Sequence, residues 1–221
     1  MGLLTIDKTK CNKDGLCAAD CPTAVIRIKD EESFPELVPG GEMMCLRCGH
    51  CVAVCPHGAL SHADVPVADC PPIRKEASIT HEQAVQFLRS RRSVRRFKDT
   101  PIPRETIQRL IEIARYAPTG SNIQLVEWIV INDRQKIQDL AEMVIEWMRQ
   151  VLEKDAHLAA APYLPLLVAA WDMGFDAILH NAPSLIIATA PKEDPTGMVD
   201  LTLALCYLEL AAPSLGLGTC W

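Results

Sequence analysis

Seven of the ten cysteines fall within the first 55 residues, and this crowding constrains the chain more than any other feature. They form two runs, Cys11-x5-Cys17-x3-Cys21-Pro22 and Cys45-x2-Cys48-x2-Cys51-x3-Cys55-Pro56. In a reducing compartment, thiols in such number and spacing are ligands rather than disulfide partners. Each Cys-Pro pair is followed by a short apolar segment, residues 24–28 and 58–60, so the halves read as an internal repeat. A stretch of this size with so few large side chains cannot fold on an apolar core alone and needs a metal staple.

The second run has a mechanical logic. Three cysteines spaced three apart wrap a loop around one cuboidal cluster, and the fourth faces away toward another. The proline after it cannot extend a helix and redirects the chain. Laid on the same spacing, the first run carries Asp14 at its second ligand position. One cluster would then be held by Cys11, Cys17 and Cys55 with Asp14 facing the fourth iron, and the other by Cys21, Cys45, Cys48 and Cys51. Over residues 1–60 the pattern resembles the two-cluster bacterial ferredoxins. A carboxylate is a harder ligand than a thiolate. The first cluster is therefore a 4Fe–4S group with one labile iron, or a 3Fe–4S group with Asp14 turned to solvent. Zinc sites pair Cys-x2-Cys arms across a spacer, which these runs fit poorly. His50 and His57 flank the cysteines and read as shapers of hydrogen bonding rather than ligands. Cys70 and Cys220 carry no assigned role, and Cys206 reads as a small buried hydrophobe.

The net charge of −6 argues against nucleic-acid or acidic-membrane binding. The opening MGLLTIDKTK has no charged segment leading into an apolar one, so no secretory signal is read there. No run of apolar residues long enough to span a bilayer escapes interruption by charge or proline. The expectation is a soluble, cytoplasmic protein.

Residues 63–79, with Pro66, Pro71 and Pro72, read as a linker between a 1–62 iron–sulfur domain and a second domain at 80–221. Thr80 and Gln83 form a capping box for a helix reaching about Arg89. Pro103 starts another, with Ile107, Leu110, Ile111 and Ala114 on one face. Trp128 to Ile131 and Leu185 to Ala190 are strand candidates, the first as a buried strand. Between them, Ile137, Leu140, Val144, Met148 and Val151 mark an amphipathic helix. Val199 to Leu215 is an apolar helix broken near Pro213. This order predicts an α+β domain behind the small ferredoxin-like one.

Between Arg89 and Arg104 stand seven cationic residues and one acid, Asp99. Arg91-Arg92-Ser93-Val94-Arg95-Arg96-Phe97 offers guanidinium forks and a hydroxyl suited to phosphate oxygens. Ala117-Pro118-Thr119-Gly120-Ser121-Asn122-Ile123-Gln124 follows about 20 residues later. With Asn181-Ala182-Pro183-Ser184-Leu185-Ile186-Ile187 and Leu215-Gly216-Leu217-Gly218-Thr219-Cys220-Trp221, these motifs resemble the nitroreductase family over residues 84–221. The resemblance implies FMN and a homodimer with flavin at the interface. Arg91 and Ser93 would meet the phosphate and ribityl chain, Arg92 the ring edge through its backbone, and Arg95 the N1/O2 edge. A cation there favours the reduced flavin. Pro118, Thr119, Gly120, Asn122 and Gln124 would reach the flavin of the neighbouring subunit. Family members continue past the GLGTCW stretch with a segment that closes the phosphate site. Here the sequence stops at Trp221, so it is a fragment or completes the pocket differently. Gly216-x-Gly218 follows a helix rather than a strand and is no dinucleotide fingerprint.

The two halves imply one activity. Clusters would pass single electrons to FMN, which would reduce an organic acceptor such as a nitroaromatic or quinone. The external electron donor would be a ferredoxin or NAD(P)H. No catalytic side chain is assigned. The alternatives are an electron-transfer flavoprotein acting between protein partners and a redox sensor.

Overall fold

A computed structural model describes residues 2–154 and 163–221. It divides into two units. The first runs to Ile79 and takes in Ser121–Ile123; the second holds Thr80–Gly120 and Gln124–Trp221.

In the first unit, β1 (Leu4–Ile6) pairs antiparallel with β4 (Leu60–His62), placing Leu4 opposite His62 and Ile6 opposite Leu60. A second ribbon joins β2 (Ile26–Arg27) to β3 (Glu36–Leu37). Three single-turn helices complete it: α1 (Leu16–Ala19), α2 (Gly41–Met44) and α3 (His50–Ala53). The buried core is Val25, Ile26, Val52 and Leu60 together with Cys17 and Cys51, so two thiols are themselves core residues. Residues 63–79 contribute two 3-10 turns, and Val67 packs on this core.

The internal repeat is visible in the backbone. Lys13 and Arg47 (φ 58° and 53°), Gly15 and Gly49 (76° and 73°), and Ala24 and Gly58 (51° and 55°) are left-handed pairs, each 34 positions apart. Cys17 and Cys51, and Cys21 and Cys55, keep the same offset. Gly15 and Gly49 precede α1 and α3 and let the chain turn from a cysteine loop into a helix. A left-handed residue with a side chain costs roughly 1–2 kcal/mol. Lys13, Ala24 and Arg47 therefore hold strain that the surrounding cysteine loops must offset.

In the second unit, α4 (His81–Ser90) opens on the capping box: Gln83 N–H donates to Thr80 Oγ1 at 3.2 Å, and Thr80 N–H to Gln83 Oε1 at 2.8 Å. α5 (Arg104–Ala114) follows Pro103 and buries Ile107, Leu110 and Ala114. β5 (Glu127–Ile131) and β6 (Leu185–Thr189) pair antiparallel with Ile129 opposite Ile187, which makes the unit α+β. Between them lie α6 (Arg134–Lys154) and α7 (Tyr163–Asp172). Last comes α8 (Gly197–Ala211), which ends in a 3-10 turn at Ala212–Leu215 containing Pro213. Leu110 and Ala114 of α5 pack on Leu208 and Ala212, with Trp128 and Ile186 against them. Ile145 and Met148 of α6 pack on Leu164 of α7.

Four expectations need correction. β5 is not a buried strand: Ile129 is 51% exposed and Val130 37%, because the core covers the sheet on the Trp128 side. The buried face of α6 is Ile137, Ala141, Ile145 and Met148, with Val144 exposed, because α7 packs on that side. α7 itself lacks a clear apolar period and was not expected. Cys206 is exposed on α8 rather than buried. The segment Gly197–Leu215 is also long and apolar enough to cross a membrane by length and composition. It carries two buried acids, Asp200 and Glu209, and packs on α5 in the core of the second unit.

Candidate functional site

The cysteines of the first unit surround two voids. One is lined by Cys21, Cys45, Cys48 and Cys51, with Val25, Ile26 and His62. The other is lined by Cys11, Asp14, Cys17 and Cys55, with Asn12 and His57. Each void thus takes three positions from one run and a cysteine from the other. Among the described residues, no three Cys, His, Asp or Glu side chains gather as closely as a single metal ion requires. Four sulfurs spread around an apolar void fit a polynuclear group.

Backbone amides point at the sulfurs. Arg47 N–H donates to Cys45 Sγ at 3.4 Å, and Ala59 N–H to Cys55 Sγ at 3.3 Å. The left-handed turn at Arg47 aims the first of these. Burial pushes the Cys51 thiol up to about 11, with Cys48 and Cys45 adding to it, and burial also raises Cys17. For Cys21 burial acts upward too, but amides of Val25, Thr23 and Ile26 outweigh it and the thiol is lowered. The cysteines are thus unequal before any metal binds.

The two voids differ in their polar neighbours. Asp14 Oδ1 accepts from Leu16 N–H at 3.2 Å, which folds the carboxylate over the start of α1. Asn12 Nδ2 lies 2.9 Å from His57 Nε2, and Asp14 Oδ2 lies 3.8 Å from the same nitrogen. His50 Nδ1 faces Asp20 Oδ2 at 3.4 Å. The sequence reading passed over His62, which is 2% exposed with Nε2 3.6 Å from Cys45 Sγ. Alternation along β4 is the signal that places it on the buried face beside Leu60.

In the second unit, both basic and glycine-containing motifs are tied to α8 by buried acids. Arg91 Nη1 lies 3.1 Å from Glu209 Oε1, and Trp221 Nε1–H donates to Glu209 Oε2 at 3.0 Å. Val94 N–H donates to Thr219 O at 2.8 Å. A Cβ on Gly218 would come within 2.7 Å of Val94 Cγ2, so the two segments lie closer than any side chain at 218 permits. Gly120 N–H donates to Asp200 Oδ1 and Oδ2 at 3.1 and 3.3 Å, and Thr196 Oγ1–H to Asp200 Oδ2 at 3.2 Å. Gln124 N–H donates to Thr119 Oγ1 at 3.1 Å. Ser121, Asn122 and Gln124 are all left-handed, so this loop is wound tightly.

Arg91 and Arg95 are exposed, Ser93 is half-buried, and Arg92 turns its guanidinium onto the carbonyls of Arg89 and Arg91 at 3.0 and 2.9 Å. Pro118 is exposed while Thr119 and Gly120 are half-buried. Asn122 is half-buried and falls with the first unit. An apolar cavity of about 340 Å³ lies among Phe97, Ile102, Leu110, Leu208 and Trp221. None of Arg91, Arg92, Ser93 and Arg95 lines it. Asp200 and Glu209 were missed by sequence reasoning. Their signal is plain in retrospect: they are acids in an otherwise apolar helix, where a charge must have a partner.

Residues 9–59 match the model of the 4Fe-4S dicluster domain, and residues 88–221 that of the nitroreductase family. The chain is 28% identical over 141 residues to the NAD(P)H FMN reductase of Bacillus subtilis strain 168, covering 62% of this chain and 52% of the relative. It thus spans about half the length of that relative. It is 28% identical over 133 residues to the iodotyrosine deiodinase of Thermotoga neapolitana, covering 60% and 69%. The crystal structure of a BluB-like flavoprotein from Clostridium difficile 630 superposes with a TM-score of 0.50 at 26% identity, over 62% of this chain and 73% of that one. With four motifs in order and a family model matched across more than half of its length, the chain belongs to the nitroreductase family and carries a ferredoxin-like dicluster domain ahead of the family domain.

Proposed function

We propose that this protein is an iron–sulfur flavoprotein oxidoreductase that carries electrons through two clusters and FMN to an organic acceptor, such as a nitroaromatic or quinone. The observation that supports it best is the sorting of seven cysteines and Asp14 around two voids, in the same chain as a nitroreductase-family domain. Bound clusters supply one-electron steps, and bound FMN supplies hydride chemistry.

The residues divide the work. Cys21, Cys45, Cys48 and Cys51 hold one cluster. Cys11, Cys17 and Cys55 hold the other, with Asp14 at its fourth corner. Amides of Arg47 and Ala59 offset the negative charge on the ligand sulfurs. For FMN, Glu209 fixes Arg91 through one nitrogen, and the guanidinium fork presents its other donors to the phosphate. Ser93 adds a hydroxyl, Arg92 the backbone beside the ring, and Arg95 the cation at the ring edge. Asp200 holds the backbone of Gly120 so that Pro118, Thr119, Gly120, Asn122 and Gln124 form the wall of a flavin site shared across a homodimer. The external donor is a ferredoxin or NAD(P)H, and the ten cysteines suit a cytoplasmic, reducing location.

The test is an anaerobic reductive titration followed by visible absorption and low-temperature EPR, then mixing with a nitroaromatic. Flavin bleaching, cluster signals, and reoxidation of both by the acceptor are the expected results. Clusters without flavin absorbance, even after incubation with FMN, overturn the reading. Reduction of both centres with no turnover of any small acceptor would point instead to transfer between protein partners.

A further inference from the structure

His62 is among the largest side chains buried almost completely, and it forms part of the wall of the void lined by Cys21, Cys45, Cys48 and Cys51. Its tautomer follows from its neighbours. Asp64 N–H donates to Nδ1 at 3.0 Å, so Nδ1 is the acceptor and the ring proton of the neutral imidazole sits on Nε2. Nε2 is 3.6 Å from Cys45 Sγ. The contact is therefore an N–H···S hydrogen bond with the sulfur accepting.

Cys45 Sγ thus receives two donors, the Arg47 amide at 3.4 Å and His62 Nε2. The supports of both are joined, because Arg47 Nη1 pairs with Asp64 Oδ2 at 2.8 Å and the backbone of Asp64 holds His62. The internal repeat makes this one-sided. By the offset of 34 the counterpart of His62 is Ile28, which has no donor to offer the other void.

We propose that His62 is a positioning residue that donates through Nε2–H to Cys45 and raises the reduction potential of the cluster held by Cys21, Cys45, Cys48 and Cys51, separating it from its neighbour. The inference rests on the cluster assignment made above. Reduction adds negative charge to the cluster, part of it on the ligand sulfurs. A fixed donor stabilises the reduced form more than the oxidised one, so the potential rises. His62 acts through Cys45.

The experiment is an EPR-monitored redox titration of the full-length protein and its His62→Leu and His62→Gln variants. Loss of the donor in His62→Leu is expected to lower the potential of one cluster only, by about tenfold in its reduction equilibrium, or about 59 mV for a one-electron couple. His62→Gln keeps an N–H and is expected to recover part of the shift. Unchanged potentials in His62→Leu, or equal shifts in both clusters, overturn the proposal while leaving the clusters in place. Absence of any cluster signal in the parent protein overturns the cluster assignment and the proposal with it. Should the leucine variant fail to load, electron–nuclear double resonance on the parent protein labelled with ¹⁵N-histidine decides. An imidazole coupling to one reduced cluster that is absent from His62→Gln supports the hydrogen bond, and no such coupling overturns it.

Discussion

Asp200 presents both carboxylate oxygens to the backbone N–H of Gly120, at 3.1 and 3.3 Å, from a position only 3% exposed. A residue in the first turn of α8 thereby sets the course of a loop 80 positions earlier. Removing the carboxylate leaves the Gly120 amide unpaired, at a cost of about 1–3 kcal/mol. Asp200→Ala should therefore lower the denaturant midpoint of the second unit and weaken FMN binding, and Asp200→Asn should do so less. Chemical denaturation and FMN fluorescence titration measure the two effects. An alanine variant matching the parent in both would remove Asp200 as the anchor.

Gly218 and Val94 should be coupled. The 2.7 Å approach of a Cβ at 218 to Val94 Cγ2 makes Gly218→Ala overpacked, by about 1–3 kcal/mol. Val94→Ala removes the Cγ atoms and relieves part of that. A double-mutant cycle on unfolding free energy should thus show the pair costing less than the sum of the singles. Strict additivity would mean that the segments separate easily.

Asp14→Cys should convert the first cluster to full thiolate ligation. In the parent, mild oxidation is expected to release one iron and produce a 3Fe–4S signal, because a carboxylate holds that corner weakly. The cysteine variant should resist. Low-temperature EPR before and after oxidant is the measurement, and identical behaviour in the two proteins would mean that position 14 does not face iron.

Cluster assembly should depend on pH. With the Cys51 thiol pushed up to about 11 and Cys17 also raised, both hold protons at neutral pH in the cluster-free fold. Ligation expels those protons, so each rise in pH below that value eases binding. Anaerobic reconstitution with iron and sulfide is expected to proceed faster at about pH 9 than at about pH 7. A flat profile, read from cluster absorbance, would show that deprotonation does not limit assembly.

What was legible in the sequence was local. The Thr80–Gln83 capping box forms both of its bonds because cap and partner are three residues apart. The α5 face of Ile107, Leu110 and Ala114 follows from one helix period, and the break of α8 follows from Pro213. The repeat was readable because each half closes in a Cys-Pro pair followed by a short apolar segment. Where the reading missed, a distant element decided. The face of α6 shifted from Val144 to Ile145 because α7 packs there. Cys206 was judged by the apolar residues around it, and tertiary packing left that face of α8 open.

The sequence by itself determined the spacing of the cysteines, the Cys-Pro pairs that close each run and the periods of the helices, because each depends on residues a few positions apart. Only the tertiary structure decided that His62 meets Cys45, that Asp200 holds Gly120 and that Glu209 joins Arg91 to Trp221. Those partners are brought together by strand pairing and helix packing. A single buried acid or histidine finds its partner across the fold, at a separation that no local period encodes.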